Sequence, residues 1–140
     1  MLKTFATICI IGMFTSSCTS KKASRTEGSH EAEQDLTMIV GTYTSGDSKG
    51  LYSFRFNEEN GTATALSEAE VENPSYLVPS ADGKFIYAVS EFSNEQAAAN
   101  AFAFNKEEGT FRLLNTQKTG GEDPCYIITN GSNVVTANYS

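Results

Sequence analysis

From Leu36 onward, apolar and polar residues alternate with a period of two, in short runs that Gly, Asn and Asp interrupt. Alternation of this kind predicts half-buried β-strands, and the interruptions are typical of tight turns. The pattern lacks the apolar stripe of an amphipathic helix. It predicts strands at residues 37–43, 51–57, 63–69, 74–80, 84–90, 100–105, 111–118, 124–129 and 133–139.

The same pattern recurs after 48 to 50 residues. The segment FRFNEENGTATAL matches FAFNKEEGTFRLL, and Phe54 and Phe102 lie 48 residues apart. The segment NPSYLVPS matches DPCYIITN, and Pro74 and Pro124 lie 50 residues apart. A strand-rich repeat of this length indicates a blade of a β-propeller, a ring of about 4–8 four-stranded blades. The aromatic residues that recur are interpreted as core between blades: Phe54, Phe56, Tyr76, Tyr87, Phe102 and Phe104.

We therefore predict an all-β fold with about two blades of a propeller. Residues 74–118 supply one complete antiparallel unit of four strands. Residues 37–69 supply three strands of the preceding blade, and residues 124–139 supply two strands of the following one. Because propellers often close their ring with a strand from the far terminus, we interpret residues 36–140 as the N-terminal part of a truncated propeller domain.

The first 35 residues do not follow this pattern. Lys3 precedes the apolar run FATICIIGMF, which is too short to span a bilayer but has the length of a signal-peptide core. The small residues before Cys18 resemble the lipobox of bacterial lipoprotein signals. This resemblance implies cleavage before Cys18 and a lipid on its thiol. The alternative is an ordinary secretory signal with an incidental Cys18.

Residues 1–17 are accordingly interpreted as a signal peptide of the lipoprotein type. Residues 18–35 are polar and charged without periodicity, which predicts a disordered tether. Together they predict an exported protein, anchored to a membrane through its N-terminal lipid and facing the periplasm or the cell exterior.

Charge and composition exclude several partners. The formal net charge of −7 disfavours nucleic acid, because phosphate binding requires a basic patch. The three cysteines do not form a disulfide framework, since Cys9 leaves with the signal peptide and Cys125 stands alone. The single histidine, His30, lies in the tether without a second ligand nearby. We therefore expect no metal and no cofactor.

Five segments make the sequence specific: MIVGTYT, GLYSFRF, NPSYLVPSADGKFIYAVSE, AFNKEEGTFRLLN and DPCYIITNGSNVVTANYS. Their joint order resembles the lactonase-type seven-bladed β-propeller family, which includes 6-phosphogluconolactonases. The resemblance covers residues 38–140, which correspond to the first third of a family member. It implies that the intact protein, expected to be a monomer, hydrolyses a small sugar lactone, in particular 6-phosphogluconolactone. The 140-residue chain by itself is expected to be inactive.

The resemblance also implies where the chemistry lies. Hydrolysis of a lactone needs a general base to activate water and cations to hold the developing charge. In this family a histidine and arginines with an acidic partner belong to later blades, so the catalytic residues are expected beyond Ser140. Arg55 and Arg112 fall on predicted outer strands, far from the central channel.

Propellers usually bind ligands at the channel mouth, where a loop leads into the innermost strand of each blade. The candidate channel-rim residues are Asn73, Ser75, Glu91, Asp123 and Cys125, with Ser140 at the same rim. Each of them could instead be a turn or capping residue. Cys125 is a poor candidate nucleophile, because no histidine or lysine is placed to lower its pKa.

One observation argues against the favoured substrate. 6-Phosphogluconolactone is made in the cytoplasm, whereas this chain carries an export signal. Two interpretations therefore stay open. The first is a lactone hydrolase of carbohydrate metabolism, and the second is a non-catalytic exported propeller that binds a carbohydrate or a protein. The fold alone does not decide between them.

Overall fold

The structure is a computed structural model, and it describes residues 35–140. Within this range the chain forms nine β-strands and no helix, so nothing there is a helix able to cross a membrane. The strands are β1 (Leu36–Gly41), β2 (Gly50–Phe56), β3 (Ala63–Glu70), β4 (Leu77–Pro79), β5 (Phe85–Ser90), β6 (Ala98–Asn105), β7 (Thr110–Lys118), β8 (Pro124–Thr129) and β9 (Val134–Asn138).

The strands form three antiparallel sheets, ordered β1-β2-β3, β4-β5-β6-β7 and β8-β9. In each sheet, neighbours in sequence are neighbours in space, as expected for a propeller blade. The prediction of an all-β fold, with one complete and two partial blades, is therefore confirmed. The predicted signal peptide at 1–17, the lipidation of Cys18 and the tether as far as residue 34 lie outside the described residues.

Equivalent turns join β2 to β3 and β6 to β7. The carbonyl of Asn57 accepts a hydrogen bond from the N–H of Gly61 at 2.9 Å, and the carbonyl of Asn105 accepts one from Gly109 at 2.7 Å. The two glycines have φ values of 71° and 72°. Side chains with a Cβ are strained in this left-handed region, which explains why glycine recurs at this position.

The main hydrophobic core lies between the first and second sheets. Leu51 of β2 is buried there against the second sheet, which contributes Ile86, Ala88, Phe102 and Phe104. Along β6 every second residue is buried, as the predicted period of two requires. Full burial of a large apolar side chain contributes about 1.5–3 kcal/mol, so this cluster holds the two sheets together.

Polar contacts reinforce the same junction on its outer side. The hydroxyl of Ser53, buried on β2, donates a hydrogen bond to the carbonyl of Gly109 at 2.6 Å. The Nη2 of Arg55 donates to the carbonyl of Glu107 at 2.7 Å. The turn between β6 and β7 is thereby docked on β2 of the preceding sheet.

Three strand boundaries and four core assignments differ from the sequence prediction. Strand β1 ends at Gly41, two residues before its predicted end. Strand β4 covers only Leu77–Pro79, because the N–H groups of Ser75 and Glu91 both turn to the carbonyl of Asn73, at 2.8 and 3.0 Å. Strand β6 begins at Ala98, two residues earlier than predicted. Phe102 and Phe104 are buried as predicted, whereas Phe54, Phe56 and Tyr87 are only half-buried. Tyr76 is 40% exposed, with its ring 4.8 Å from that of Tyr126.

Candidate functional site

Two equivalent turns lead into the innermost strands, β4 and β8. Asn73 and Asp123 lie at these turns with φ values of 47° and 50°, the only non-glycine residues among 35–140 with positive φ. Asn and Asp tolerate this conformation better than other side chains. In both turns the backbone carbonyl accepts a hydrogen bond at 3.0 Å, from the N–H of Glu91 or of Tyr139. We call these two segments the inner turns.

The side chains of both inner turns reach back to the preceding sheet. Asn73 Oδ1 accepts hydrogen bonds from the backbone N–H and the hydroxyl of Thr44, at 3.1 and 3.0 Å. Asp123 Oδ1 accepts one from the hydroxyl of Ser93, and Oδ2 accepts one from Ser140 at 2.8 Å. These two donors, Ser93 first, lower the pKa of Asp123 below its ordinary value because they favour the carboxylate.

Glu91 connects the first inner turn to the first sheet. It follows β5, is half-buried, and its Oε2 accepts a short hydrogen bond from the hydroxyl of Ser75. The same oxygen accepts one from the hydroxyl of Tyr43 at 3.0 Å. The hydrogen bond to Glu91, followed by desolvation, raises the pKa of Tyr43 above its ordinary value. We call Tyr43, Ser75 and Glu91 the rim triad.

The structure therefore brings three of the five predicted rim residues together. Asn73 belongs to the same group as the rim triad, since its Nδ2 donates to the carbonyl of Glu91 at 3.2 Å. Asp123 occupies the equivalent place one blade further on. Cys125 is exposed and does not join either group; its thiol lies 3.7 Å from the carbonyl of Ala137. A thiol that donates to a carbonyl is not activated as a nucleophile.

Sequence reasoning missed Tyr43, Thr44 and Ser93. A signal was available for Tyr43, which precedes Glu91 by 48 residues, the same spacing as the repeat. Positions one repeat apart occupy equivalent places on successive blades, so their side chains can meet at the rim. Thr44 and Ser93 hold Asn73 and Asp123, across sequence separations of 29 and 30 residues.

A cleft between the sheets offers a second candidate site. It measures about 410 Å³ and is lined in part by Glu70, Ser90, Asn100 and Lys118. The buried polar groups in its wall already bond to one another. Asn100 donates to the Ser90 hydroxyl at 2.9 Å and accepts from Thr116 at 2.8 Å. A wall of satisfied groups favours a structural role, so the inner turns remain the better candidate.

The chemistry of the inner turns is that of hydrogen bonding to polar ligands. They present carboxylate, amide and hydroxyl groups within a small area, and such groups recognise polyols. Arg55 and Arg112 lie on β2 and β7, away from the inner strands, as the sequence predicted. Residues 35–140 contain no group of three or more metal-binding side chains.

Comparison with known proteins identifies the family. The sequence model of the family described as "Lactonase, 7-bladed beta-propeller" matches residues 37–140, which is most of the chain. The chain belongs to this lactonase family. Over 106 residues it is 36% identical to a 6-phosphogluconolactonase of Bacillus subtilis, with 71% of this chain aligned to 29% of that protein. A 6-phosphogluconolactonase of Formosa agariphila is 36% identical over 95 residues, 64% of this chain and 26% of that protein.

Solved structures in the lactonase family agree with the fold. A candidate 6-phosphogluconolactonase of Bacteroides fragilis superposes with a TM-score of 0.76 at 69% identity, over 79% of this chain and 31% of its own. The periplasmic gluconolactonase of Pseudomonas aeruginosa superposes with a TM-score of 0.68 at 28% identity, over 75% of this chain and 31% of its own. The chain thus spans about a third of the length of these relatives.

Proposed function

We propose that the full-length protein containing this chain is a 6-phosphogluconolactonase-like hydrolase of sugar lactones. The observation that carries this proposal is the family match over residues 37–140, together with relatives named for this activity. In the reaction, water adds to the lactone carbonyl carbon and the bond from this carbon to the ring oxygen breaks. The ring oxygen takes up a proton, and the product is the open-chain sugar acid.

The residues described here bind rather than catalyse in this proposal. A general base and cationic groups are needed for the water and the developing oxyanion, and we expect them beyond Ser140. Asn73, Ser75, Glu91 and Asp123 contribute the hydrogen-bonding rim of the site. Their side chains are fixed before a ligand arrives, because each is held by a neighbour. Cys125 lies at this rim without a chemical role.

We also propose export and anchoring through Cys18. The support is the order of charge, apolar run, small residues and cysteine at the start of the chain. A Cys18→Ala variant of the full-length protein is expected to stay unprocessed or to leave the membrane fraction. Mass spectrometry of the mature N-terminus checks this. An unmodified Cys18 in a soluble exported protein would contradict anchoring but not export.

The test of the activity is direct. Purified full-length protein is incubated with 6-phosphogluconolactone or with glucono-1,5-lactone, and acid release is followed in a weakly buffered solution with an indicator dye. Spontaneous hydrolysis is subtracted with a sample of heat-unfolded protein. Turnover of either lactone supports the proposal. If a folded preparation hydrolyses neither these nor related sugar lactones, the non-catalytic propeller that binds a carbohydrate or a protein is the correct interpretation.

A further inference from the structure

The rim triad leaves half of a carboxylate available. Both hydroxyl donors, Tyr43 and Ser75, bond to the same oxygen of Glu91, Oε2. Within residues 35–140, no hydrogen bond reaches the second oxygen, Oε1, of this half-buried side chain. A carboxylate has about four acceptor positions. Glu91 is therefore held in one orientation and can still accept hydrogen bonds from a ligand.

The surroundings of this carboxylate are negative. The backbone N–H of Asp123 donates a hydrogen bond to the carbonyl of Phe92, the residue after Glu91, at 2.9 Å, so the two acidic residues lie in adjoining turns. The hydrogen-bonding groups around them are hydroxyls and an amide, from Tyr43, Thr44, Asn73, Ser75, Ser93 and Ser140. None of these groups carries positive charge. Phosphate recognition, by contrast, relies on cationic donors such as arginine.

We propose that Glu91 is a specificity-determining residue that selects an unphosphorylated sugar lactone. Its Oε1 accepts a hydrogen bond from a hydroxyl of the sugar, and its charge disfavours the dianion of a phosphorylated lactone. Tyr43 and Ser75 act as positioning residues that fix the carboxylate across two sheets. This inference rests on the proposed lactonase function and narrows its substrate class to neutral lactones.

Two arguments support the direction of the effect. A hydroxyl bonded to a carboxylate gains more than one bonded to a neutral acceptor, so a polyol benefits from Glu91. A phosphate at the same rim meets like charge, and the repulsion is largest where the site excludes water. The same side chain therefore improves the neutral substrate and penalises the charged one, which is how a binding site discriminates between them.

The experiment compares two substrates in three forms of the full-length protein. The forms are wild type, Glu91→Gln, and the control Glu59→Gln, which removes an exposed carboxylate from the turn between β2 and β3. Both substitutions change the net charge equally. For each form, kcat/KM is measured with glucono-1,5-lactone and with 6-phosphogluconolactone, and thermal unfolding verifies the fold.

The wild type is expected to prefer glucono-1,5-lactone. In Glu91→Gln, kcat/KM for this lactone should fall roughly tenfold, mostly through KM, because a charge-assisted hydrogen bond becomes a neutral one. The ratio of kcat/KM for 6-phosphogluconolactone to kcat/KM for glucono-1,5-lactone should rise by more than tenfold, since the repulsion between the carboxylate and the phosphate is also removed. Glu59→Gln should leave this ratio within about twofold of wild type, because an exposed distant charge is screened.

Varying the salt concentration tests the proposal on the wild-type protein alone. Salt should raise kcat/KM of the wild type for the phosphorylated lactone and leave the neutral lactone unchanged. If both lactones are hydrolysed but the wild type prefers the phosphorylated one, or Glu91→Gln and Glu59→Gln give the same ratio, the specificity proposal is wrong while the lactonase function stands. If folded wild type hydrolyses neither, the lactonase function itself fails and this proposal fails with it.

Discussion

The first two sheets contain turns with the same backbone conformation, but the atoms around these turns differ. Gly61 and Gly109 close equivalent turns with nearly identical φ values. A Cβ at Gly61 would meet nothing within 4 Å, whereas a Cβ at Gly109 would lie 2.7 Å from Leu66 and from the Ser53 hydroxyl. Among residues 35–140, the turn of the second sheet is thus docked against a neighbouring sheet, whereas the described residues include no sheet on the corresponding side of the first turn. The repeat thus fixes the φ of both glycines, and in the second turn the neighbouring sheet adds a steric reason for glycine.

The inner turns give the same lesson for chemistry. Asn73 and Asp123 share their φ region, their carbonyl hydrogen bond and their hold on the preceding sheet. The groups beside them differ, since Ser75 is matched by Cys125 in the repeat and the first turn alone carries the rim triad. The shared contacts build the scaffold, and the residues that break the repeat make the two turns chemically different.

The largest expected effect tests the two glycines. Gly61→Ala should cost at least about 1 kcal/mol of unfolding free energy in the full-length protein, the strain of a Cβ at positive φ. Gly109→Ala adds the collision with Leu66 and Ser53, and overpacking costs a further 1–3 kcal/mol or so. Urea denaturation followed by fluorescence measures both. A loss of only about 1 kcal/mol in Gly109→Ala, the strain alone, would show that the turn between β6 and β7 is not docked on β2.

The strands were predictable from the sequence, whereas some of their boundaries were not. The period of two located all nine strands, because each strand buries one face and the turns are marked by Gly and Asn. The start of β4 was missed because two backbone N–H groups bond to the carbonyl of Asn73, and the pattern of apolar residues does not reveal such bonds. The start of β6 was missed because Ala98, a good helix former, is buried as a small residue at the beginning of the strand.

The sequence predicted which residues lie at the candidate site, but not which side chains they would form hydrogen bonds with. Rim residues could be named because turns before innermost strands are recognisable in the sequence. The hydrogen bond between Tyr43 and Glu91 crosses from one sheet to the next; the 48-residue spacing places the two residues at equivalent positions, and the structure shows that their side chains meet. Long-range side-chain contacts of this kind depend on rotamers and on distances between sheets, which the pattern of apolar and polar residues does not reveal.

The second prediction compares two replacements of Asn73. Asn73→Ala loses the bonds to Thr44 and Glu91 and places alanine at a φ of 47°. The expected loss is about 2–3 kcal/mol, from strain and from missing hydrogen bonds. Asn73→Asp should lose about 1 kcal/mol less than Asn73→Ala, because it keeps the hydrogen bonds from Thr44 and tolerates this φ, while both variants lose the donor to the Glu91 carbonyl. If the two variants are equally unstable, the two inner turns are not interchangeable.

A smaller effect is expected at the rim triad. Tyr43→Phe removes one hydrogen bond from Glu91 but keeps the ring, which is 55% exposed. The loss of stability should be about 0.5 kcal/mol, since water replaces an exposed partner. Because the pKa of Tyr43 is raised in the folded protein, its contribution is present below the ordinary tyrosine pKa and disappears as pH rises through the raised value. The difference in thermal unfolding between wild type and Tyr43→Phe should therefore be present at pH 8 and should shrink as the pH rises above the ordinary tyrosine pKa.

The smallest effect distinguishes the two inner turns by charge. Asp123 has a lowered pKa, because the hydroxyls of Ser93 and Ser140 donate to its carboxylate, whereas Asn73 has no charge to lose. A lowered pKa means that the carboxylate contributes stability above the ordinary aspartate pKa, and that this stability is lost as pH falls through the folded value. Asp123→Asn should therefore unfold at a temperature that declines less than that of wild type between pH 5.5 and pH 3. Ser93→Ala removes the leading donor and should move the decline toward higher pH. If Asp123→Asn follows the wild-type curve throughout this window, the second inner turn holds its neighbours without using its charge, and the two turns are alike after all.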